Sequence, residues 1–238
     1  MCSAPDAGYV ELHAHSCFSL LDGASFPDEL VATAVELGLP ALALTDHDNL
    51  HAALDFANIA NAAGLQPITG AELTLIDGTH LTLLVESVAG YRNLCRLITI
   101  AHYTGERTVP AVPIEALAEH HEGLILLTGC RQSELCRRVD GDDLAGARRL
   151  LRQFRSWFGA ENVFVELQRN LVRGDRRRTA RLAALANEAG LGIVATGDVH
   201  YHRPERVALQ DTLVAIRHRT SLDGAAHVRR INGEWYMV

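Results

Sequence analysis

Histidine and carboxylate side chains stand at the ends of several predicted strands. The first stretch of this kind, YVELHAHSCFSLLDG, places His13 and His15 one residue apart and closes with Asp22. Residues two apart on a β-strand point to the same face, so both imidazoles can enter one pocket. The last predicted strand ends in GDVH, where Asp198 and His200 have the same spacing. The sequence therefore predicts two pairs of side chains that converge on one site.

Four further candidate ligands follow other predicted elements. His47 lies in TDHD, Glu72 in GAE and Cys130 in TGC, and His102 lies at the end of a predicted helix. Imidazole, carboxylate and thiolate together are the ligands of zinc and related divalent ions. A carboxylate can also bridge two ions, as di-metal hydrolase sites require. Since one zinc takes about four ligands, these nine candidates could hold three ions if some are shared.

Each candidate has an ordinary alternative explanation. A single histidine at a strand end is usually a hydrogen-bonded surface residue, and Cys130 could be a small buried apolar residue. Asp22 lies in LDGAS, which favours a turn, and Asp48 is interpreted as a helix cap. The metal hypothesis is favoured because these explanations would have to hold together at five or six strand ends on one rim. The other seven histidines lack this support and are interpreted as ordinary residues: His51, His80, His120, His121, His202, His218 and His227.

The elements that must position these residues alternate between strand and helix. YVELHA is predicted as the first strand, and buried strands such as PALALTD and GLILLTG alternate with amphipathic helices such as DLAGARRLLRQFRSWFG. Such alternation is typical of parallel βα units, although IDGT indicates a hairpin before HLTLLVE. Six or seven units without a midpoint break in composition favour one closed or nearly closed barrel, with YTGERTVPAVP as a loop. In such a barrel the chemistry lies where the strands end.

Composition narrows the classes of function. The chain has 238 residues, and 48% of them are apolar, which is enough for a substantial core. A net charge of −7 gives no overall basic signature of a nucleic-acid binder. No apolar run reaches the roughly 18 residues of a membrane span, and MCSAPDAG has no signal-peptide layout, so we expect a cytoplasmic protein without membrane contact. Five cysteines without a CxxC pair argue against a disulfide framework.

Several motifs, taken in order, resemble those of the PHP (polymerase and histidinol phosphatase) family. They are HAHSCFSLLDG, LALTDHDNL, GAEL and TGDVHY. The branch they resemble most is the PHP domain at the N-terminus of bacterial DNA polymerase III alpha subunits, including the error-prone form, which YRNLCRLITIAH and GLILLTGC also match. The resemblance runs from Tyr9 to the NGEWYM tail. It implies an α/β fold, a distorted TIM-like (β/α)7 barrel of the PHP type, and a single PHP domain over residues 1–238.

The resemblance also implies a centre of three divalent ions, which could be Zn, Mn or Fe. Its ligands would fall into three groups, two of which share Glu72 as a bridge: His13, His15, Glu72 and Asp198; Glu72, His102 and Cys130; and Asp22, His47 and His200. All nine positions carry suitable side chains here, which implies an active centre. Asp46, beside His47, is a candidate for orienting that ligand.

The reaction predicted is metal-dependent hydrolysis of a phosphodiester, with 3′→5′ exonuclease action on DNA as the preferred form. The substrate would be a single strand or a 3′ end, in replication or repair. Arg169 and Arg173 follow the strand NVFVELQ and are predicted to contact substrate phosphates. Two alternatives stay open. One is a small-molecule phosphomonoesterase of the histidinol-phosphate type, and the other is a non-enzymatic, metal-stabilised module that docks a polymerase or another replication protein.

Overall fold

Eight α-helices and six β-strands are found in the part of the chain described by the computed structural model, residues 8–106 and 108–238. Residues 1–7, with Cys2 and most of the MCSAPDAG stretch, lie outside the described residues. In chain order the elements are α1 (Pro27–Glu36), β1 (Ala41–Leu44), α2 (Ala53–Ala62), β2 (Gln66–Thr74), β3 (His80–Val85), α3 (Val88–Thr104), α4 (Ile114–Glu119), β4 (Leu124–Leu127), α5 (Glu134–Asp140), α6 (Leu144–Phe158), β5 (Val163–Gln168), α7 (Asp175–Ala189), β6 (Gly192–Thr196), a 3-10 helix (Pro204–Arg206) and α8 (Val207–Arg217).

The six strands form one mixed sheet in sequential order. β1 pairs parallel with β2, and β4, β5 and β6 pair parallel with one another. β3 is antiparallel to both of its neighbours, which confirms the predicted hairpin across IDGT. Because β3 runs in the opposite direction, its first residue, His80, lies beside Thr74 at the end of β2.

The two edges of this curled sheet are joined by residues 11–15, which overlap the predicted strand YVELHA, residues 9–14. They form isolated bridges instead, Glu11 with Leu42 on one side and Ala14 with Val199 on the other. The backbone N–H of Val199 donates to the carbonyl of His13, and the N–H of His15 donates to the carbonyl of Val199. Asp198 has φ 53°, so the chain bends there and a longer ladder cannot form.

The interior of the curled sheet is filled by an apolar layer to which every strand contributes. Ala43, Leu84 and Leu127 are buried in it. The residues packed against them come from the joining segment and from β2, β4, β5 and β6: Leu12, Ile68, Ile125, Phe164 and Val194. This layer supports the strand ends from below and confirms the TIM-like α/β class.

The helices cover the outer face of the sheet. The largest apolar cluster includes Leu94 of α3, Phe154 of α6 and Leu182 of α7. α4 and α5 are not predicted from the sequence, because helices of 6 and 7 residues are too short to show the apolar period of a helix. Among the helices of the described ranges, none has the length and apolar character needed to cross a membrane.

Glu11 fastens the joining segment to the sheet. Its carboxylate is buried and accepts hydrogen bonds from the backbone N–H of His13 at 2.8 Å and of Gly197 at 2.9 Å, and from the hydroxyl of Tyr9 at 2.6 Å. We expect Glu11→Ala to lower the free energy of unfolding by about 2–4 kcal/mol, because two buried backbone donors lose their acceptor. Urea denaturation measures the change. Glu36→Ala, at a side chain that is 60% exposed, is the control, and equal stability of the two variants would contradict this role for Glu11.

Candidate metal centre

A cavity of about 200 Å³ opens where the strands of the sheet end. Its walls come from the loop that holds Asp22, from the segments that follow β1, β4, β5 and β6, from β2 and the start of β3, and from the tail segment, residues 228–237. The chemically reactive and charged lining residues are Asp22, His47, Glu72, His80, Cys130, Arg131, Asp198, His200, Arg229 and Arg230. Most of the side chains that the sequence singled out as metal ligands therefore lie around one space, the central cavity.

Glu72 lies at the middle of these side chains. Its Oε2 is 3.3 Å from an imidazole nitrogen of each of three histidines: His13 Nε2, His15 Nε2 and His47 Nδ1. Its Oε1 is 3.2 Å from His80 Nδ1 and 3.1 Å from Cys130 Sγ. One buried carboxylate thus faces ligand atoms on both of its oxygens, which is the arrangement that a bridging ligand requires.

Two further carboxylates complete the surroundings. Asp22 Oδ2 is 3.4 Å from His47 Nε2 and 3.6 Å from His200 Nε2. Asp198 Oδ1 is 3.6 Å from His15 Nε2. These separations exceed the usual N–H···O hydrogen-bond length of about 2.9–3.0 Å. Ligand atoms placed about 2.1 Å from one tetrahedral ion are about 3.4 Å apart, so the spacing suits metal ligation better than direct hydrogen bonding.

Unpartnered buried atoms support the same interpretation. Within the described residues, His15 Nε2, His200 Nε2 and Asp198 Oδ1 are buried without a hydrogen-bond partner. Buried polar atoms normally have partners, so these three atoms fit a bound cation. Three groups of side chains have ligand atoms within 4.8 Å of one another: His15, His47 and His200; His13, His15 and Glu72; and His47, Glu72 and His80.

The Nδ1 atoms of His13 and His200, which are not directed to the cavity, have contacts of their own. His13 Nδ1 lies 2.6 Å from Glu166 Oε1, and His200 Nδ1 lies 2.8 Å from the backbone oxygen of Asp198. Each contact orients the ring so that Nε2 is left for the cavity, as is common for metal-binding histidines. Glu166 is not among the site residues predicted from the sequence. A charged residue inside the apolar run NVFVELQ was the available signal.

Asp46 acts on a different part of the site from the one that its position next to His47 suggests. Its carboxylate accepts hydrogen bonds at 2.7 Å from the backbone N–H and the hydroxyl of Ser16 and from the hydroxyl of Ser19. Ser19 Oγ is in turn 3.3 Å from His15 Nδ1 and accepts a hydrogen bond from the backbone N–H of His47. Asp46 therefore fixes the loop between the first histidine pair and Asp22, and Ser19 links it to His15 and His47.

The charges of the cluster support one another. Burial disfavours the charged form of His13, but the carboxylates of Glu166 and Glu72 outweigh it and raise the His13 pKa well above its usual value. Burial likewise opposes ionisation of Glu72, yet the surrounding histidines hold its pKa well below the usual range. Burial beside the Glu72 carboxylate raises the pKa of the Cys130 thiol. Protons and carboxylates thus balance in this pocket, and a cation can replace the protons on the histidines.

The positions of His80 and His102 differ from those predicted from the sequence. His102 is exposed, and its Nε2 lies 3.2 Å from the backbone oxygen of Asp48, outside the three groups of ligand atoms. His80, interpreted as an ordinary residue, lies against Glu72 instead. The signal was the predicted hairpin, since a strand that returns antiparallel begins at the edge where its neighbours end.

Three other residues with predicted roles are Asp48, Arg169 and Arg173. Asp48 does not cap α2, so that interpretation is wrong; its carboxylate accepts from the backbone N–H and hydroxyl of Thr74 at 2.8 and 2.7 Å. Arg169 and Arg173 are both exposed, and neither lines the central cavity. The arginines that do line it are Arg131, Arg229 and Arg230, two of them from a tail segment with no regular secondary structure.

A curled α/β sheet whose strand ends gather histidines and carboxylates is the architecture of PHP-type metal-dependent phosphoesterases. The chain belongs to the PHP domain family, whose model matches residues 11–170. It is 40% identical over 96% of its length to the error-prone DNA polymerase of Symbiobacterium thermophilum, and 35% identical over 96% to the DNA polymerase III subunit alpha of Treponema pallidum. It spans only 22% and 21% of these two relatives.

The fold is also similar to that of a solved structure. A protein from Bifidobacterium adolescentis described as a metal-dependent phosphoesterase superposes with a TM-score of 0.57 at 17% identity, over 83% of this chain and 89% of that one. At this identity the likeness concerns the fold. Together with the family match, it confirms the resemblance drawn from the motifs.

His80, which lies against Glu72, and His102, which lies in α3, give a direct test of the metal centre. We expect His80→Ala to bind fewer Zn²⁺ or Mn²⁺ ions per chain and to lose at least about tenfold in affinity, because removal of mere outer-shell partners already costs 10–100-fold. His102→Ala should keep the full metal content. Mass spectrometry of metal per chain after reconstitution measures both, with circular dichroism as the check on folding. Equal metal loss in the two variants would contradict the placement of His80 as the nearer ligand.

Proposed function

We propose that the protein is a metal-dependent hydrolase of phosphodiester bonds, and that it acts as a 3′→5′ exonuclease on a single strand or 3′ end of DNA. The observation that carries this proposal is the gathering of imidazole, carboxylate and thiol ligand atoms around the two oxygens of Glu72. The relatives of the chain are DNA polymerases, which supports DNA as the substrate and a replication protein as partner. A DNA substrate also fits the cytoplasmic location predicted from the sequence.

The proposed centre holds three divalent ions, which could be Zn, Mn or Fe, since mixed nitrogen, oxygen and sulfur ligands suit each of them. The distances support three ligand groups: His13, His15, Glu72 and Asp198; Glu72, His80 and Cys130; and Asp22, His47 and His200. The second group contains His80 where the family resemblance suggested His102. Glu72 is the proposed bridge between the first two groups.

The chain itself prepares this site for a phosphate ester. Divalent ions bound there supply a water nucleophile near neutral pH and positive charge for the phosphate oxygens. Glu166 holds the ring of His13, and Asp46 holds Ser19 against the ring of His15, so that the ligand nitrogens keep their direction. Arg169 and Arg173 follow β5 outside the cavity, where they are proposed to contact backbone phosphates away from the scissile bond.

We also propose that residues 1–238 act as one PHP domain, beyond the 11–170 span of the family match. Asp198 and His200 support this extension, because both lie among ligand atoms supplied by the first 22 residues. The joining segment gives further support, since it hydrogen-bonds both to β1 and to Val199.

Asp22 tests whether the cluster performs hydrolysis. We expect Asp22→Asn to lower the rate on a labelled oligonucleotide at least about 100-fold, because the amide lacks the charge that a metal ligand supplies. Asp55→Asn, at an exposed position of α2, makes the same chemical change away from the cavity and should keep the rate. Turnover by metal-replete Asp22→Asn at the rate of the unchanged protein would rule out Asp22 as a ligand of the active centre.

The substrate class is tested by one set of assays. End-labelled single-stranded, duplex and abasic DNA are incubated with the protein, beside histidinol phosphate, with and without chelator. We expect stepwise shortening from the 3′ end that stops on chelation and returns with Mn²⁺ or Zn²⁺. Faster release of phosphate from histidinol phosphate than from DNA would instead favour a phosphomonoesterase. No hydrolysis of any substrate by the metal-loaded protein would favour a docking module.

A further inference from the structure

The three arginines of the central cavity differ in what they contact. Arg131 is ion-paired with Asp175, and Arg229 donates from Nη1 to Asp211 at 2.7 Å. Arg230 has no hydrogen-bonded acidic partner among the described residues. Its nearest carboxylate oxygen is Asp22 Oδ1, 3.6 Å from Nη2, and its Nε is buried without an acceptor. Among the cavity arginines, Arg230 is thus the one without a hydrogen-bonded carboxylate in the described part of the chain.

Trp235 determines where this guanidinium lies. The guanidinium carbon of Arg230 is 5.4 Å from the centre of the Trp235 ring, a distance at which the ring attracts a cation. The indole Nε1 of Trp235 donates to Asp198 Oδ2 at 3.2 Å. The guanidinium is therefore held close to Asp22 on one side, and its supporting ring is attached to Asp198 on the other. Both carboxylates belong to the proposed metal ligands.

The tail segment that carries these two residues is fastened to the strand ends. The backbone N–H of His200 donates to the carbonyl of Trp235 at 2.8 Å. Asn170 donates to the carbonyls of Gly197 and Glu234 at 2.8 and 3.0 Å, and Asn232 donates to the carbonyl of Asn170 at 2.9 Å. A segment held in this way places Arg230 in advance, so little ordering is needed when a ligand binds.

We propose that Arg230 binds a non-bridging oxygen of the substrate phosphate, and that Trp235 positions it for this contact. The inference rests on the proposed function, since it names a phosphate-binding residue of that site. A guanidinium presents its N–H groups in a planar fork that matches two oxygens of a phosphate. The rival role is that Arg230 only offsets the charge of Asp22. A comparison with Arg217 separates the two roles, because Arg217 Nη1 is 3.5 Å from Asp22 Oδ2 but the residue does not line the cavity.

The test measures phosphate binding separately from turnover. The metal-loaded protein is titrated with a fluorescent, phosphorothioate-linked single-stranded oligonucleotide at several salt concentrations, and inorganic phosphate is used as a competitor. For Arg230→Gln we expect about tenfold to a hundredfold weaker competition by phosphate, as for the loss of one hydrogen bond to a charged group. The slope of log affinity against log salt should fall by about 0.7, the value for one phosphate contact to a single strand.

Two further variants make the result specific. Arg230→Lys keeps the charge but not the fork, so most of the salt slope should return while competition by phosphate stays weak. Arg217→Gln removes the other arginine beside Asp22, and we expect competition by phosphate within about twofold of the unchanged protein. Metal content per chain is measured for every variant. An Arg230→Gln protein with full affinity and an unchanged salt slope would overturn the inference, and so would equal losses in Arg217→Gln.

Failure of this inference can be told apart from failure of the proposed function. If the unchanged protein binds the oligonucleotide, and the salt slope of Arg230→Gln is smaller by about 0.7, the phosphate contact stands even when no DNA is hydrolysed. If the protein hydrolyses DNA and Arg230→Gln does so with the same KM and kcat, the hydrolase stands and the role of Arg230 does not. A metal-loaded protein that binds neither oligonucleotide nor inorganic phosphate overturns both.

Discussion

The rest of the site depends on the buried carboxylate of Glu72. This carboxylate is buried at the end of β2, and both of its oxygens face side chains of types that can ligate metals. A buried carboxylate is stable only when charges or donors surround it, so the histidines from separate elements must converge there. The curled sheet makes this possible because it brings the ends of five strands and the start of β3 to one rim. The apolar layer that contains Ala43 and Leu127 fills the space beneath that rim and supports it.

The sequence predicted best what depends on local pattern. The alternation of buried strands and amphipathic helices gave the α/β barrel, and the period of two along a strand placed His13 and His15 on one face. Those features are encoded within a few residues. The joining segment was predicted as a regular strand because its own pattern is that of a strand. Its neighbours decide otherwise, since the left-handed backbone of Asp198 interrupts the ladder.

What the sequence did not predict depends on the direction and length of connections. The hairpin across IDGT predicts the reversal of β3, but the side chain at its start that meets Glu72 depends on the pairing register, which places His80 beside Thr74. Arg230 and Trp235 lie in a segment without regular secondary structure, so no period marks the side that faces the cavity. Arg169 and Arg173 were predicted to contact substrate phosphates because they follow a strand. Nearness to a strand end in the sequence does not determine which way a side chain points after the strand.

The contacts of His13 and Asp22 with late residues limit when the site can form during synthesis. His13 contacts Glu166, 153 residues later in the chain, and Asp22 contacts Gln210, 188 residues later. At about 5–20 residues per second, a ribosome needs roughly 10–40 s to make the residues between Asp22 and its partner. During that time the first histidine pair is already synthesised while the last ligands do not yet exist. The nascent chain therefore presents only part of the proposed ligand set until Asp198 and His200 have been synthesised.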